Sequence, residues 1–579
     1  MVPVLATVAA ELLSYAAWMY GHQPIRSDAQ GYYDLAMVIV REGPLAFASQ
    51  YRTYGYPSFL ALLSLVVGQD AEQVRTAGFV VQSISFILVA WLGAQRLSRA
   101  LGMPERAPWL YAATVFSPFI LIHAVQMLTD VPSAILVYLA VVLTVPDALT
   151  EGAARSGQAR RTPLLALAAM LVGGIAVVVR PANLVLVPVL LGAWLLRTAR
   201  FHDLPWRVWP LLLVMLALPF VPQLLSNYRA YQVARPLLVD DLYGGNVILG
   251  IQSAKYGTIS IAGIPSRLYY DNPFAPADGD LDPTRFVLQH PLNALATVAV
   301  HTFALFDQDF PFTYITDLNP WYRWPLAIPN YLYLLLGFSG LVAGLVRPPG
   351  ATPSDRARAR FAIGLLSAAA AALVAVYVPT RVECRFSLPV YPLLAAPFML
   401  AVQRLAAATW GRPIRLILVS IGLGVWVAAM AATSLWMDRQ APLLMQARAA
   451  LAGPLPPTPK AVYQLSLPDD WEPGQKVTIP ITVTNAGPDT WEVGGLFDVA
   501  VRAQILATKT EQHRLLPPGA RTYVSPTAPV RPGESTSLIA TVETPTATGR
   551  YIMTVTVIRT GIDDDGPGYE KPIRVDKGR

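Results

Sequence analysis

The segment Ser27-Asp28-Ala29-Gln30-Gly31-Tyr32-Tyr33-Asp34-Leu35-Ala36 follows directly after an apolar run at residues 3–20. This order places a carboxylate just outside a membrane-embedded helix. Ionisable groups at such positions are costly, and they usually belong to a substrate path or to chemistry. Asp28 is therefore the first candidate for a catalytic base. The alternative is that Asp28 caps the following helix, because Asp is a favoured N-cap residue.

The composition around this segment is that of a membrane protein. Of the 579 residues, 54% are hydrophobic and 14% are charged, with a mean hydropathy of +0.43, which is too apolar for a soluble protein of this length. The 51 prolines and 39 glycines point to broken helices and structured loops, which membrane proteins tolerate. The single cysteine, Cys384, excludes an intrachain disulfide framework and a cysteine-based zinc site.

Eleven apolar runs are close to the roughly 20 residues that a bilayer requires. They lie near 3–20, 75–95, 107–125, 130–146, 163–179, 182–197, 209–226, 328–346, 360–378, 388–404 and 414–436. The sequence therefore predicts a polytopic α-helical membrane protein with about eleven spans, together with outer juxtamembrane helices.

The charges of the connecting loops orient these spans. Sixteen arginines and only four acids fall in five short loops, at 96–106, 151–161, 197–207, 347–360 and 404–415. This positive-inside pattern predicts that those loops and the N-terminus are cytoplasmic and that the C-terminus is extracytoplasmic. The net charge of +7 is thus explained by topology, and we expect no nucleic-acid partner. The stretch 291–306 would break this pattern as a span, so we expect it to lie on or partly in the membrane surface.

The chain changes character after residue 436. A Pro-rich linker, predicted at 437–460, separates the transmembrane domain (1–436) from a tail (461–579) with strand periodicity. Apolar and polar residues alternate over 477–483 and 497–505, and turn signals occur at 485–489 and 532–535. The tail is predicted to be a small extracytoplasmic β-sandwich.

Polar candidates fall in the predicted outer loops. In the first loop, Arg52 and the tyrosines Tyr32 and Tyr56 join Asp28 in a pattern suited to a sugar carried on a lipid phosphate. The tyrosines can also be plain interface anchors. A second acid, Asp130, opens the fourth predicted span, where its alternative role is again an N-cap.

The third cluster is Arg381-Val382-Glu383-Cys384-Arg385, in an outer loop where the positive-inside rule disfavours arginine. A guanidinium is a planar fork of donors that suits a phosphate, so Arg381 and Arg385 are candidate phosphate ligands, with Glu383 fixing one of them. The alternative is a local ion pair in contact with lipid headgroups.

The long outer loop adds three candidates for a substrate pocket, Tyr243, Asn246 and Lys255. Adjacent acids at 240–241 and 563–565 lack the further ligands of a metal site, so no metal site is assigned and no cofactor is predicted to be required. Neither a Walker-type loop nor a dinucleotide fingerprint is present, which argues against an ATP-driven pump and against a Rossmann-domain enzyme.

Taken in order, several of these motifs resemble those of GT-C glycosyltransferases, in particular the bacterial relatives of protein O-mannosyltransferases and of the lipid A aminoarabinose transferase. The motifs are 27–36 with 52–57, 127–132, 180–183, 227–250 and 381–392, and the resemblance covers about residues 1–436. The tail resembles Ig-like domains. Many mannosyltransferase-like members carry adjacent acids in the first loop, whereas Ala29 follows Asp28 here.

The resemblance implies an enzyme of the cytoplasmic membrane that takes a sugar from a polyprenyl-phosphate donor. It would pass the sugar, usually with inversion, to a protein, glycan or lipid acceptor on the outer face. Asp28 corresponds to the family's presumed base, Asp130 to the acid that opens the fourth span, and Arg381, Glu383 and Arg385 to its arginine-containing loop. Two other readings are a transporter or flippase for a lipid-linked sugar and a non-catalytic membrane anchor for the Ig-like domain.

Overall fold

The computed structural model describes most of the chain. The described residues are 1–23, 25–116, 119–146, 158–202, 204–238, 242–261, 264–276, 281–312, 314–350, 352–453, 457–467, 470–494, 496–508, 520–559 and 568–576. The adjacent acids at 240–241 and 563–565 lie outside these ranges.

Most of the described chain is helical. Its α-helices are α1 (Val2–Gly21), α2 (Ser27–Glu42), α3 (Gly55–Val67), α4 (Ala71–Ala100), α5 (Ala107–Val115), α6 (Ile120–His123), α7 (Asp130–Thr144), α8 (Gln158–Val179), α9 (Leu186–Leu196), α10 (Trp209–Ala217), α11 (Val221–Tyr231), α12 (Leu242–Gln252), α13 (Pro283–Gln289), α14 (Pro291–Phe306), α15 (Arg323–Val346), α16 (Pro353–Tyr377), α17 (Tyr391–Thr409), α18 (Pro413–Asp438) and α19 (Pro442–Ala450). Short 3₁₀ or π segments extend several of them, notably Pro181–Val185 and Arg197–Phe201 around α9 and Cys384–Val390 before α17.

The strands form three sheets. They are β1 (Ser253–Ile259), β2 (Arg267–Asp271), β3 (Tyr314–Ile315), β4 (Ala461–Gln464), β5 (Asp470–Trp471), β6 (Lys476–Asn485), β7 (Val499–Ala507), β8 (Arg521–Val524), β9 (Ser535–Glu543), β10 (Gly549–Arg559) and β11 (Tyr569–Val575). The first sheet has the order β2-β1-β3 and lies within the long loop that the sequence pattern left without structure.

Nine helical segments in the described ranges are long and apolar enough to cross a membrane. They are Val2–Gly21, Ala71–Ala100, Thr162–Val179, Pro181–Phe201, Trp206–Tyr231, Arg323–Val346, Pro353–Tyr377, Cys384–Thr409 and Pro413–Asp438. Each coincides with one of the eleven predicted spans, which confirms the polytopic helical fold class.

The other two predicted spans are shorter helices. The run 107–125 contains α5 and α6, and the run 130–146 forms α7, which has 15 residues. The stretch 291–306 forms the apolar helix α14, and its predicted position at the membrane surface stays a prediction.

Helix α7 is largely enclosed by other parts of the protein. Twelve of its 15 residues are buried, and it packs against α4, α8 and the segment Cys384–Val390. A helix that is apolar on all sides is stable inside a protein or in lipid, and α7 is enclosed mainly by protein. The first residue of α7, Asp130, is thereby held inside the protein.

Glycines let α15 and α17 pack closely. Gly337 faces Leu394, and a Cβ added at Gly340 would overlap the Pro397 carbonyl oxygen. Small residues at helix contacts allow such close approach of two backbones in membrane proteins.

We expect Gly340→Ala to lower the midpoint of thermal unfolding, because the helices must move apart by backbone shifts that cost about 1–3 kcal/mol. Gly192→Ala is the matched control, since a Cβ at Gly192 meets no atom within 4 Å in the described structure. Thermal unfolding of both variants in the same detergent measures the difference. Equal midpoints would contradict the close packing of α15 and α17.

The tail forms the predicted β-sandwich. A three-stranded sheet, β4-β6-β9, and a five-stranded sheet, β5-β11-β10-β7-β8, contribute to one apolar core. The predicted alternation holds within β6, where Ile479, Ile481 and Val483 are buried. The Asn485 side chain closes the predicted turn by donating to the carbonyl oxygens of Asp489 (2.7 Å) and Val530 (2.9 Å).

Candidate active site

Six charged side chains meet where several helices begin or end. They are Asp28, Arg52, Asp130, Arg180, Glu383 and Arg385, and we call them the charge cluster. They come from the first turn of α2, the loop before α3, the first residue of α7, the loop after α8 and the loop after α16. Five of the six, all except Arg180, were predicted as catalytic or phosphate-binding residues from separate motifs, and the fold brings these five into one place with Arg180.

Arg385 is the centre of the charge cluster. Its Nε lies 2.8 Å from Glu383 Oε2, its Nη2 lies 3.6 Å from Asp28 Oδ2 and its Nη1 lies 3.7 Å from Asp130 Oδ2. One guanidinium therefore links all three acids. Its side chain is only 11% exposed, so these charges interact with little screening by water.

Arg180 holds Asp130, one of the two buried acids of the charge cluster. It forms an ion pair with Asp130, whose side chain is 4% exposed, and its Nε donates to Tyr377 Oη at 2.7 Å. The loop after Arg180 is fixed to α7, because Asn183 donates from its side-chain amide to Ser133 Oγ at 2.8 Å. Asp130 thus serves as an ion-pair partner, and no side-chain capping bond is recorded at the start of α7.

Asp28 is the accessible acid of the charge cluster. Its side chain is 50% exposed, against 4% for both Asp130 and Glu383. Arg52 Nη2 donates to Asp28 Oδ1 at 2.7 Å, so this carboxylate is paired across the loop, and the N-cap position of α2 belongs to Arg26. Of the three acids, only Asp28 is open enough for an acceptor to approach.

Aromatic and small residues position Arg52. The Arg52 guanidinium lies 4.9 Å from the centre of the Tyr32 ring, which meets the fully buried Tyr56 ring edge-on at 5.2 Å. Gly31 faces Arg52 so closely that a Cβ there would overlap the guanidinium. Ser27, directly before Asp28, has a φ of +47°, which is strained for a residue other than glycine. Strain of this kind is frequent beside functional residues.

Helix α12 and strand β1 hold Glu383 and Arg385 in place. The Tyr256 amide of β1 donates to the Val382 carbonyl at 2.7 Å, and the Arg381 amide donates to the Asn246 carbonyl at 2.9 Å. A Cβ at Gly250 would overlap the backbone of Thr380. The sheet and α12 therefore fix the approach of the chain to Glu383.

The remaining predicted residues lie around this scaffold. The Arg381 guanidinium is 4.1 Å from the centre of the Tyr256 ring, so its recorded partner is an aromatic face. Tyr243 is 52% exposed and donates to the Val376 carbonyl at 3.3 Å. Tyr56 is a packing residue beneath Tyr32, and Asn246 contributes its backbone carbonyl.

Lys255 belongs to a second, buried ion network. Its ammonium pairs with Asp309, and lies 3.3 Å from Asp307 Oδ2. Tyr270 donates to Asp309 at 3.0 Å, and Tyr331 donates to Asp307 at 2.8 Å. The two carboxylates raise the pKa of Lys255 although burial opposes this, so the lysine is held as a cation. Lys255 therefore has a structural role. It compensates the buried carboxylates of Asp307 and Asp309, which would be left with uncompensated charge without it.

The electrostatic balance of the charge cluster depends on Glu383. Burial raises the pKa of Glu383 to about 6, although the neighbouring Arg385 acts in the opposite direction. Above that pH, three carboxylates balance three guanidinium groups. Below it, Glu383 is neutral and the cluster carries one net positive charge.

The position that a cation would take among the three acids is occupied by Arg385. Among the described residues, no group of three or more His, Cys, Asp or Glu side chains is arranged to hold a metal ion. The cations beside the exposed Asp28 are the guanidinium groups of Arg52 and Arg385, which suit an anionic oxygen ligand.

Arg180 and Tyr377 are the members of the site that were assigned no role from sequence. Arg180 falls in a predicted outer loop between two apolar runs, so the argument that selected Arg385, an arginine on the disfavoured side, applies equally to it. Tyr377 ends a long apolar helix and gave no such signal.

Comparisons with known proteins find structural neighbours only. No family model and no curated protein sequence matches the chain. Among solved structures, ArnT from Cupriavidus metallidurans is 14% identical in its apo state, at 72% coverage of this chain, 62% of that chain and a TM-score of 0.40. The same protein bound to undecaprenyl phosphate is 13% identical, at 78% coverage of this chain, 72% of that chain and a TM-score of 0.43.

The oligosaccharyltransferase AglB from Archaeoglobus fulgidus, with an inhibitory peptide and a dolichol-phosphate, is 13% identical. It matches over 76% of this chain and 55% of that chain, with a TM-score of 0.41. This chain thus spans 62% of apo ArnT and 55% of AglB, and at these scores the likeness assigns no activity. The solved structures that the chain is similar to are GT-C glycosyltransferases, the class that its sequence motifs resemble.

Proposed function

We propose that the chain transfers a glycosyl group from a polyprenyl-phosphate-linked sugar to an acceptor hydroxyl, with inversion, on the outer face of the cytoplasmic membrane. The observation that supports this most is the pairing of one accessible carboxylate, Asp28, with the two guanidinium groups of Arg52 and Arg385 at helix ends. Displacement of a lipid phosphate needs a base to remove the proton of the attacking hydroxyl and cations to stabilise the leaving phosphate.

In the proposed step, Asp28 accepts the proton of the acceptor hydroxyl as its oxygen attacks the anomeric carbon. The bond between that carbon and the phosphate oxygen breaks, and its electron pair stays on the lipid phosphate. Arg385 and Arg52 stabilise the charge that develops there, because donors placed before the reaction do not have to reorganise during it. Asp130 and Glu383 hold Arg385 in position through their ion pairs.

The position of the charge cluster favours transfer over transport of a lipid-linked sugar. A transporter is expected to carry its acids and helix breaks near the middle of the bilayer. Here Asp130 is the first residue of α7, Arg180 directly precedes the segment Pro181–Phe201, and Arg385 is the second residue of the segment Cys384–Thr409. The charges therefore lie at helix ends, where an acceptor in the outer compartment has access.

The test is transfer of radiolabelled sugar by the purified protein in lipid, from a panel of polyprenyl-phosphate sugars to a cell-envelope extract of the source organism. We expect label to leave one donor only and to appear in the acceptor fraction. Saturable donor binding with no turnover, together with sugar movement across vesicle membranes, would replace this proposal by the transport function. Activity reproduced by the isolated tail would support the anchor function instead.

The raised pKa of Glu383 predicts how donor binding depends on pH. As the pH falls through about 6, Glu383 takes up a proton and the cluster becomes more positive. We expect the polyprenyl-phosphate sugar, a phosphodiester whose single negative charge does not change over this range, to bind roughly tenfold more tightly at pH 5 than at pH 7.5, since a unit charge in a partly buried site is worth on the order of 1–2 kcal/mol.

Glu383→Gln removes this titration. The variant should bind the polyprenyl-phosphate sugar at pH 7.5 about as tightly as the wild type does at pH 5, with little change between the two pH values. Glu105→Gln, at an exposed acid distant in sequence, is the control that should retain the wild-type dependence. A wild-type affinity that is the same at both pH values would contradict the assigned role of Glu383.

A further inference from the structure

A cavity lies between the segment Pro181–Phe201, α15 and α16. Its volume is about 460 Å³, within the range of roughly 300–1,000 Å³ that is typical of ligand pockets. The walls are mostly apolar and include Val189, Leu196, Leu345, Phe361 and Leu365.

Two glycines widen this cavity. A Cβ added at Gly192 would meet no atom within 4 Å, and one added at Gly364 would meet only Leu345 Cδ2, at 4.0 Å. Both glycines line the cavity. The two helices that carry them therefore leave open space here, in contrast to the close contact at Gly340.

Two arginines, Arg200 and Arg360, line the same cavity, and both are exposed. Within the described ranges, neither guanidinium has a recorded ion-pair partner, whereas the neighbouring Arg358 lies 3.8 Å from Asp355. The cavity thus combines an apolar interior with two guanidinium groups that could bind an anion.

The cavity is far from the charge cluster. Arg180 and Arg200 flank the segment Pro181–Phe201, and twenty residues of helix span about 30 Å, which is the thickness of the hydrocarbon core. On α16, Tyr377 contacts Arg180, while Arg360 is seventeen residues earlier, or about 25 Å along the helix. The arginines of the cavity therefore lie at the level of the opposite leaflet's headgroups.

We propose that this cavity binds an anionic glycerophospholipid of the leaflet opposite the charge cluster, with an acyl chain among its apolar walls and the phosphate on Arg200 and Arg360. Basic pockets between membrane helices bind anionic headgroups, and a guanidinium matches phosphate in geometry as well as charge. Charge complementarity selects an anionic lipid over a zwitterionic one, because a choline group would bring a cation beside two arginines. This site is independent of the proposed transfer reaction.

The test is titration of the delipidated full-length protein with dioleoyl phosphatidylglycerol and, separately, dioleoyl phosphatidylcholine, with bound lipid counted by native mass spectrometry. We expect one tightly retained phosphatidylglycerol. The double variant Arg200→Gln/Arg360→Gln should bind it roughly thirtyfold more weakly, about fivefold for each arginine. Arg412→Gln/Arg415→Gln, which removes two exposed arginines at the start of α18, is the charge-matched control and should bind as the wild type does.

A second variant tests the apolar part of the cavity. Gly192→Leu adds a side chain on the cavity wall, at a position where a Cβ meets no atom within 4 Å. We expect it to reduce phosphatidylglycerol binding at least tenfold while its thermal unfolding midpoint in lipid-free detergent stays at or above the wild-type value. Equal binding of the two lipids by the wild type would overturn the proposal. Wild-type phosphatidylglycerol binding by either Arg200→Gln/Arg360→Gln or Gly192→Leu would also overturn it.

Discussion

Asp28→Asn is expected to reduce sugar transfer from the polyprenyl-phosphate donor by roughly 10²–10⁴-fold, the range that general-base catalysis contributes. The amide keeps the shape of the side chain and an oxygen that can accept from Arg52 Nη2, so the loop geometry around the site should survive. Only the capacity to accept the acceptor's proton is lost. The measurement is the initial rate of radiolabel transfer at saturating donor.

The protein should otherwise resemble the wild type, because the ion pair between Asp28 and Arg52 is half exposed and such pairs contribute little to stability. Asp34→Asn is the matched control. Asp34 lies on the same helix, α2, is exposed and accepts a bond from Gln30 at 2.7 Å. A rate in Asp28→Asn within tenfold of the wild type, or an equal loss in Asp34→Asn, would remove Asp28 from the role of base.

Arg385→Lys is expected to reduce transfer by roughly 10²–10³-fold, which is the usual cost of removing one donor that stabilises a developing anion. Lysine keeps the positive charge but cannot reach Asp28, Asp130 and Glu383 at once, because an ammonium is a single point and a guanidinium is a fork. We therefore expect kcat for the best donor to fall, together with donor affinity. Retaining the charge keeps Asp130 and Glu383 from becoming uncompensated buried acids, which would threaten folding.

Arg381→Lys is the control for Arg385→Lys, since it makes the same exchange four residues earlier in the same loop. Arg381 lies over the Tyr256 ring, where an ammonium can also bind an aromatic face, so its transfer rate should change less than tenfold. Initial rates at varied donor concentration separate kcat from KM in both variants. If Arg381→Lys lost as much activity as Arg385→Lys, the lipid phosphate would have to be placed nearer to Arg381 than the charge cluster suggests.

The sequence predicts the membrane spans and the tail well because both depend on local periodicity. Long apolar runs such as 414–436 predict helices buried in lipid. The alternation over 477–483 predicts a strand with one buried face and one exposed face. The strand β1 was missed because the alternation of its first four residues does not continue through Gly257, Thr258 and Ile259, although five of its seven residues are buried. Helix α19 was missed because it lies within 437–460, which was predicted to be a linker from its prolines and its position between the two domains.

For the site, the sequence identified acids and arginines at the predicted helix ends but could not show which of them meet. Asp28 and Arg385 are 357 positions apart, and only the packing of α2 and α7 against the loop after α16 brings them within 3.6 Å. Lys255 shows the opposite case. It resembles a pocket residue in sequence, yet its partners, Asp307 and Asp309, are fifty residues away and gave no signal of a pair.

The six residues of the charge cluster are synthesised in two groups, far apart in the sequence. Asp28, Arg52, Asp130 and Arg180 enter the membrane within the first third of the chain, whereas Glu383 and Arg385 emerge from the ribosome about two hundred residues later. Until then Asp130 has Arg180 as its partner, and Asp28 has Arg52, so neither early acid waits uncompensated. The nascent protein can therefore remain in the bilayer without an uncompensated acid, and the charge cluster is completed only when the segment that begins at Cys384 has been synthesised.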